Sequence, residues 1–314
     1  MVTELPRLPL LAPWFRVVGD GDRLLLEYAQ SLVVVEGAAV RTLLPALLPL
    51  LDGTRTVDDL VRRLGAPARQ AIEGALALLA AHGAVVEGPD APVRGRDAAR
   101  AIAAAAGIPP ALAAERLEAA RVAVVGGGEP AVDVARLLSL SGVRATRRRR
   151  WRARGPADLV VVAPAADELD RLPAFNRSAL RSGLPWLLVR PHDGRSAAIG
   201  PLVVPHQTCC YECLLLRRGA NAGYPAELDE LESAALAAPC EPPVAAAAAA
   251  LAAHLALRFV AARDRTCAGV VLTLETRPAL RLDEHAVLRV PRCPSCSTAA
   301  QAAAPRPWHE ADAA

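Results

Sequence analysis

The chain has 314 residues, of which 53% are hydrophobic and 22% charged, with a formal net charge of +3. Those values describe a soluble, alanine-rich globular protein with room for two cores, and so small a charge argues against nucleic acid or an anionic membrane as its partner. All 36 basic residues are arginine, which excludes a P-loop phosphate lysine and a Schiff-base lysine.

The first 13 residues contain Glu4, Arg7 and prolines at 6, 9 and 13, a pattern unlike a signal peptide. Pro13 to Val18, Arg23 to Tyr28 and Ser31 to Glu36 read as short strands, separated by Gly19-Asp20-Gly21-Asp22 and by Ala29-Gln30. Three helices are expected next. The first runs over 38–51, interrupted by Pro45 and Pro49. The second is N-capped by Thr56 with Asp59 three residues on, and the third runs over 68–82 and is stopped by Gly83. On that third helix Ile72, Leu76 and Leu79 share a face. A last strand-like run, Ala84 to Val86, completes a winged-helix-like order of three strands and three helices. The turn-rich stretch Glu87 to Pro92 marks a domain boundary.

Residues 97–120 read as helix, broken at Gly107 to Pro110. Arg121 to Val125 is then a buried strand leading into Gly126-Gly127-Gly128 and a helix from Pro130 to Ser141. Asp158 to Ala163 and Leu184 to Arg190 are further all-apolar strands of the kind buried in a parallel sheet, so the second domain is expected to be a doubly wound, Rossmann-like α/β fold. The apolar stretch 244–262 contains His254 and Arg258 and reads as a buried helix rather than a membrane span. The expected division is 1–90, 91–298 and a flexible tail over 299–314.

Two CxxC pairs, Cys210/Cys213 and Cys293/Cys296, give the four-thiolate set that zinc takes in closed structural sites. A redox pair with two stray cysteines is the competing reading. Seven cysteines, an odd number, with no export signal favour a metal site in a reducing cytoplasm over disulfides. Cys209 should point away from the metal and Cys267 should sit in the core. Cys240 precedes a helix start, where a thiolate would be stabilised. The segment Gly126 to Ala131 has the form G-x-G-x-x-A, placing Gly126 and Gly128 where backbone N–H groups approach a phosphate. Glu129 brings negative charge to that loop, however, and the acidic residue expected on the second strand is replaced by Arg144 to Arg152, so the expectation is a nucleotide fold without ATP. The arginine run reads either as a solvated edge or as a docking patch for an acidic partner.

The strand–GGG–helix unit, Asn176 followed by Arg181 to Pro185, the segment Gly200 to Pro205 and the paired cysteine knuckles resemble the ThiF, or ubiquitin-activating-enzyme-like, adenylation fold over roughly 110–298. The first 90 residues, with Leu50 to Thr56, resemble the PqqD-like RiPP recognition element. Together they resemble the leader-peptide-binding partner of a YcaO cyclodehydratase. The resemblance implies a subunit without its own catalytic centre, which holds the leader of a ribosomally made precursor while the partner forms thiazoline or oxazoline rings. The leader would add to the edge Leu32, Val33, Val34, Val35 and Glu36 against the helix carrying Arg69, Gln70, Glu73 and Leu76. Positions that bind the triphosphate in active members are not matched, Asp167 and Arg177 being the nearest remnants. An active adenylyltransferase with Cys240 as sulfur carrier is the alternative. A homodimer is a further expectation, and a winged-helix transcription regulator is disfavoured because the third helix offers DNA a single arginine.

Overall fold

The computed structural model describes residues 5–297 apart from 21, 152, 154, 224–226, 228, 229, 233, 236 and 237. The expected tail, Arg152 of the arginine run and Gly21 of the first turn lie outside the described residues. The chain divides into two compact units, 1–118 and 119–314, so residues 91–118 group with the first.

In the first unit, β1 (Pro9–Leu11), β2 (Arg16–Asp20), β3 (Arg23–Tyr28) and β4 (Ser31–Glu36) precede α1 (Ala38–Thr42) and α2 (Leu44–Leu47). Then come α3 (Val57–Leu64), α4 (Arg69–Ala81), β5 (Val85–Glu87), α5 (Arg96–Ala106) and α6 (Pro110–Ala119). The strands β2, β3 and β4 form one antiparallel sheet in that order, with Asp20 opposite Arg23 and Tyr28 opposite Ser31. The turn between β3 and β4 is Ala29-Gln30, with φ of 47° and 70°. Both central residues thus take the left-handed conformation, whose twist matches a two-residue hairpin. Alternation along the strands turns Leu24, Leu26 and Val35 into a core shared with Leu47, Leu60, Ile72, Leu76, Leu79 and Val85.

One expectation needs correction here, and one pairing was not foreseen. The first strand starts at Arg16 rather than Pro13 and absorbs Gly19 and Asp20, because the β3 ladder supplies partners for them. The run after the third helix does not join the three-stranded sheet. It pairs as β5 with β1, Pro9 lying opposite Glu87 and Leu11 opposite Val85, and the Glu87 carboxylate accepts the N–H groups of Arg7 and Leu8. The unit therefore carries a second, two-stranded ribbon. The prolines at 45 and 49 break the first helical stretch into α1, α2 and a 3-10 turn over Leu48–Leu50.

The start of α3 is a reciprocal cap. Thr56 Oγ1 accepts the Asp59 N–H at 3.2 Å, and the Asp59 carboxylate accepts the Thr56 N–H at 2.9 Å. The adjoining turn is closed by Asp52 Oδ1, which accepts from Thr54 N at 3.0 Å. Thr56→Ala should lower stability to chemical denaturation by about 1 kcal/mol, because it leaves an N-terminal amide of α3 without its acceptor.

The second unit runs β6 (Arg121–Val125), α7 (Pro130–Leu140), β7 (Arg144–Arg148), β8 (Leu159–Val162), α8 (Leu172–Ser182) and β9 (Trp186–Val189). It continues with β10 (Ser196–Val203), α9 (Tyr211–Asn221), α10 (Pro242–Leu257), β11 (Val270–Glu275) and β12 (Arg281–Ala286). One seven-stranded sheet is formed in the order β12-β11-β10-β9-β8-β6-β7. The strands β7, β6, β8 and β9 are parallel, as the all-apolar runs lead one to expect. The strands β10, β11 and β12 continue it antiparallel, so the sheet is mixed rather than doubly wound throughout. The run Arg144 to Arg148 is the parallel edge strand.

One face of the sheet, through Ala123, Val125, Val160, Val162, Trp186 and Leu188, buries Leu172 and Phe175 of α8 and Tyr211 of α9. On the other face α10 packs on α7 and on β8, β9 and β10. The segment Pro242–Ala262, long and apolar enough to cross a membrane, is a helix half buried in this unit.

Candidate functional site

Three places in the fold bring polar chemistry together. The first is the junction between the start of α9 and the segment after β12. Cys210 and Cys213 lie at the start of α9 and Cys293 and Cys296 follow β12. All four sulfurs are buried and lie within 4.8 Å of one another. The Cys210–Cys213, Cys210–Cys293 and Cys213–Cys296 separations are 3.8, 3.7 and 3.5 Å. A tetrahedral ion with bonds of about 2.3 Å to sulfur has an edge of about 3.8 Å, so the set has the dimensions and donor chemistry to hold a metal ion such as zinc. The Cys210 thiol donates to the Cys213 sulfur, and although burial acts against it, that bond and the Val290 N–H at 3.3 Å hold the Cys213 thiol below its ordinary range. The junction is braced from outside as well. Arg217 donates to the carbonyls of Leu288 and Arg289, and Arg289 to those of His206 and Cys296. Cys209 is buried beside the cluster, and burial with the neighbouring Cys213 and Cys296 pushes its thiol up to about 12. Cys267 is in the core, as expected.

The second place is the crevice at the carboxyl ends of β6 and β8. Chain order reverses here, since β7 lies on one side of β6 and β8 on the other, and this is where open α/β sheets receive ligands. A crevice of about 250 Å³ is lined by Gly127, Gly128, Pro130, Ala165 and Cys240 among others. The expected glycine loop is present, but its closest neighbour is protein. A side chain at Gly126, whose φ is 108°, would put its Cβ 2.1 Å from the Ala163 carbonyl oxygen, and one at Gly128 would sit 2.5 Å from that of Pro164. Only glycine lets the two loops meet this closely. The Gly127 N–H donates to Glu168 Oε2 at 2.6 Å, the Ala165 N–H to the same oxygen at 3.0 Å, and Arg171 to Oε1 at 2.9 Å. Partial burial raises this carboxyl, but the two N–H groups and the Arg171 charge outweigh it and leave Glu168 below the usual carboxylate range. Sequence reading gave Glu168 no role. Asp167 and Arg177 are exposed.

Cys240 is half-buried, and what stabilisation its thiolate draws from the helix start is outweighed. Burial, then the Glu129 carboxylate and, less strongly, Glu241 raise it above the ordinary thiol range, outweighing the one backbone bond from Ala245. Arg190, which also lines the crevice, is held by Glu232 at 2.5 and 3.3 Å. Glu232 is 7% exposed, also pairs with Arg218 and accepts from Tyr211 Oη at 3.5 Å. Asn176 is buried and accepts the Tyr211 N–H at 3.1 Å, so it anchors the start of α9.

The third place is β4, which among the described residues pairs with β3 alone. Tyr28 and Ser31 flank a two-residue turn and exchange both ladder bonds, so the main-chain groups of Leu32, Val34 and Glu36 point away from β3. Leu32 and Val34 are 59% and 45% exposed, while Val35 is buried and Val33 partly so. On α4, Arg69 and Gln70 are exposed and Glu73 is half-buried. Arg69 bonds Asp58 at 2.6 Å and Glu73 at 3.2 Å, tying α4 to α3. Leu76 has no exposed surface and belongs to the core.

No family model matches the sequence, and no curated protein matches it. Solved structures do. A heterocyclase in complex with substrate and cofactor and the heterocyclase TruD each align with 93% of this chain at 26% identity and a TM-score of 0.74. The match takes in 40% and 43% of those two chains, so this protein spans about two-fifths of their length. Escherichia coli MccB, the microcin C7 biosynthetic enzyme solved with ATP, aligns over 92% of this chain and 99% of its own at 16% identity and a TM-score of 0.64. The mixed α/β fold is thus shared with MccB over nearly its whole length and with about two-fifths of each heterocyclase chain.

Metal analysis of the purified protein should return one ion per chain. Cys213→Ser should abolish it and lower the thermal midpoint of the second unit by roughly 10 °C, since metal binding and folding of the junction are one free energy.

Proposed function

We propose that this protein is the leader-binding subunit of a peptide heterocyclase and carries no catalytic centre of its own. The observation that carries this reading is the pair of heterocyclase alignments, which take in nearly all of this chain and two-fifths of theirs. In this reading the ring-forming chemistry belongs to a YcaO cyclodehydratase, which is the partner we assign. In this reading residues 1–90 are the recognition element and 91–298 an adenylation fold that has kept its scaffold. The leader of a ribosomally made precursor adds as a strand to β4, with main-chain bonds giving affinity and the Leu32 and Val34 side chains adding apolar contact. Arg69, Gln70 and Glu73 border it. Leu76 supports the surface from the core.

The work of the complex is done by proximity. A tethered leader raises the effective concentration of the core peptide's Cys, Ser or Thr side chains at the partner's active site. Zinc is the ion we assign to the four cysteines, because four thiolates in a closed tetrahedral arrangement leave no position for substrate. Its contribution is to join α9 to the end of β12. The protein acts in the cytoplasm, on peptide and not on nucleic acid or membrane.

The second reading, ATP-dependent adenylation with Cys240 as sulfur carrier, draws on the glycine loop after β6 and on the fold shared with MccB. ATP–pyrophosphate exchange by the purified protein separates the two, and no exchange is expected.

A fluorescently labelled leader peptide of a ribosomally made heterocyclase precursor should bind the full chain saturably. Val34→Pro removes an outward N–H without removing a ladder bond and should weaken binding roughly tenfold or more. Unchanged affinity in that variant, or no affinity of the wild type for the leader, would overturn the leader-binding reading.

A further inference from the structure

The crevice at the ends of β6 and β8 raises a question that leader binding does not answer. It has the position and the glycine loop of a phosphate site, yet its amide groups are engaged. Two backbone N–H groups from different loops, Gly127 and Ala165, converge on a single oxygen of Glu168, and Arg171 holds the other. Converging amides with a guanidinium are the donor set that an oxyanion takes at a strand-to-helix loop. The other charges point the same way. Glu129 stands at the N-cap of α7. Arg190, a cation on the crevice wall, is committed to Glu232.

We infer that Glu168 is the built-in occupant of the glycine loop's anion seat, and that its carboxylate keeps phosphate groups out of the crevice. The seat is therefore an oxyanion site in waiting. The native protein closes it with its own side chain, and removing that carboxylate exposes amides that accept a phosphate oxygen. This concerns the second unit and stands apart from leader binding, which would survive its failure.

The test is a calorimetric titration of inorganic pyrophosphate into the full-length protein and into Glu168→Ala and Glu168→Gln, with circular dichroism to confirm folding. Wild type should show no saturable binding. Glu168→Ala should bind pyrophosphate roughly tenfold or more tightly than wild type, more weakly as salt is added and in competition with inorganic phosphate. Glu168→Gln, which keeps the acceptor and removes the charge, should fall between them. A folded Glu168→Ala that binds no better than wild type would show that the carboxylate merely ties two loops together. Binding of pyrophosphate by wild type would show that it excludes nothing. If Glu168→Ala fails to fold, Glu168→Gln decides by the same criterion, and failure of both to fold would also overturn the inference, because the group would then be structural.

Discussion

A backbone N–H or C=O removed from water must find a partner, and much of this protein can be understood from where those partners come from. In the middle of the large sheet the strands supply them for one another, which is why β6, β8 and β9 can be apolar on both faces. At the end of that sheet the glycine loop has no strand to pair with. Its amides are met by the Ala163 carbonyl and by the Glu168 carboxylate. At β4 the outward groups of Leu32, Val34 and Glu36 are left to solvent. A loop and an edge strand with spare donors and acceptors have thus been treated oppositely, one satisfied from within and the other, among the described residues, left open.

The sulfur junction works on a longer scale. The antiparallel strands β10, β11 and β12 extend the parallel sheet beyond the nucleotide-type core, and an extension of that kind needs an anchor at its far end. The four cysteines join the helix that follows β10 to the segment that follows β12, with Arg217 and Arg289 holding the intervening carbonyls. Nearby, the buried Glu232 gathers Arg190 and Arg218 and so fixes the end of β9 to α9. Charges so deeply placed are strongly destabilising when one partner is lost, so the crevice wall is held firmly.

What could be read from the sequence was local. The hairpin from Arg23 to Glu36, the cap at Thr56, the strand leading into Gly126 and the two CxxC turns are each defined within a few residues, and the structure places them as expected. What escaped was set by distance along the chain. Nothing near Ala84 says that Val85 to Glu87 will pair with Pro9 to Leu11 instead of the sheet beside it. Nothing near Glu168 says that its carboxylate will meet the amide of Gly127. The Cys240 thiol depends on distant groups as well: burial first, and then the Glu129 carboxylate from another loop, outweigh the amide at the helix start. Leu76, expected among the leader contacts, is instead a core residue with no exposed surface, as its shared face with Ile72 and Leu79 would have indicated.

The open edge of β4 has a cost that concerns handling rather than mechanism. An unpaired strand carrying exposed Leu32 and Val34 is a template for any extended chain, including another copy of itself or a stretch of a half-folded neighbour. The charges near that edge include Glu36 and the Arg41–Asp22 pair, with Arg23 and Glu27 opposite Glu36 and Leu32 on β3. Protein accumulating without anything to lie along this strand is therefore exposed to edge-to-edge aggregation, and its solubility during expression depends on the company it keeps.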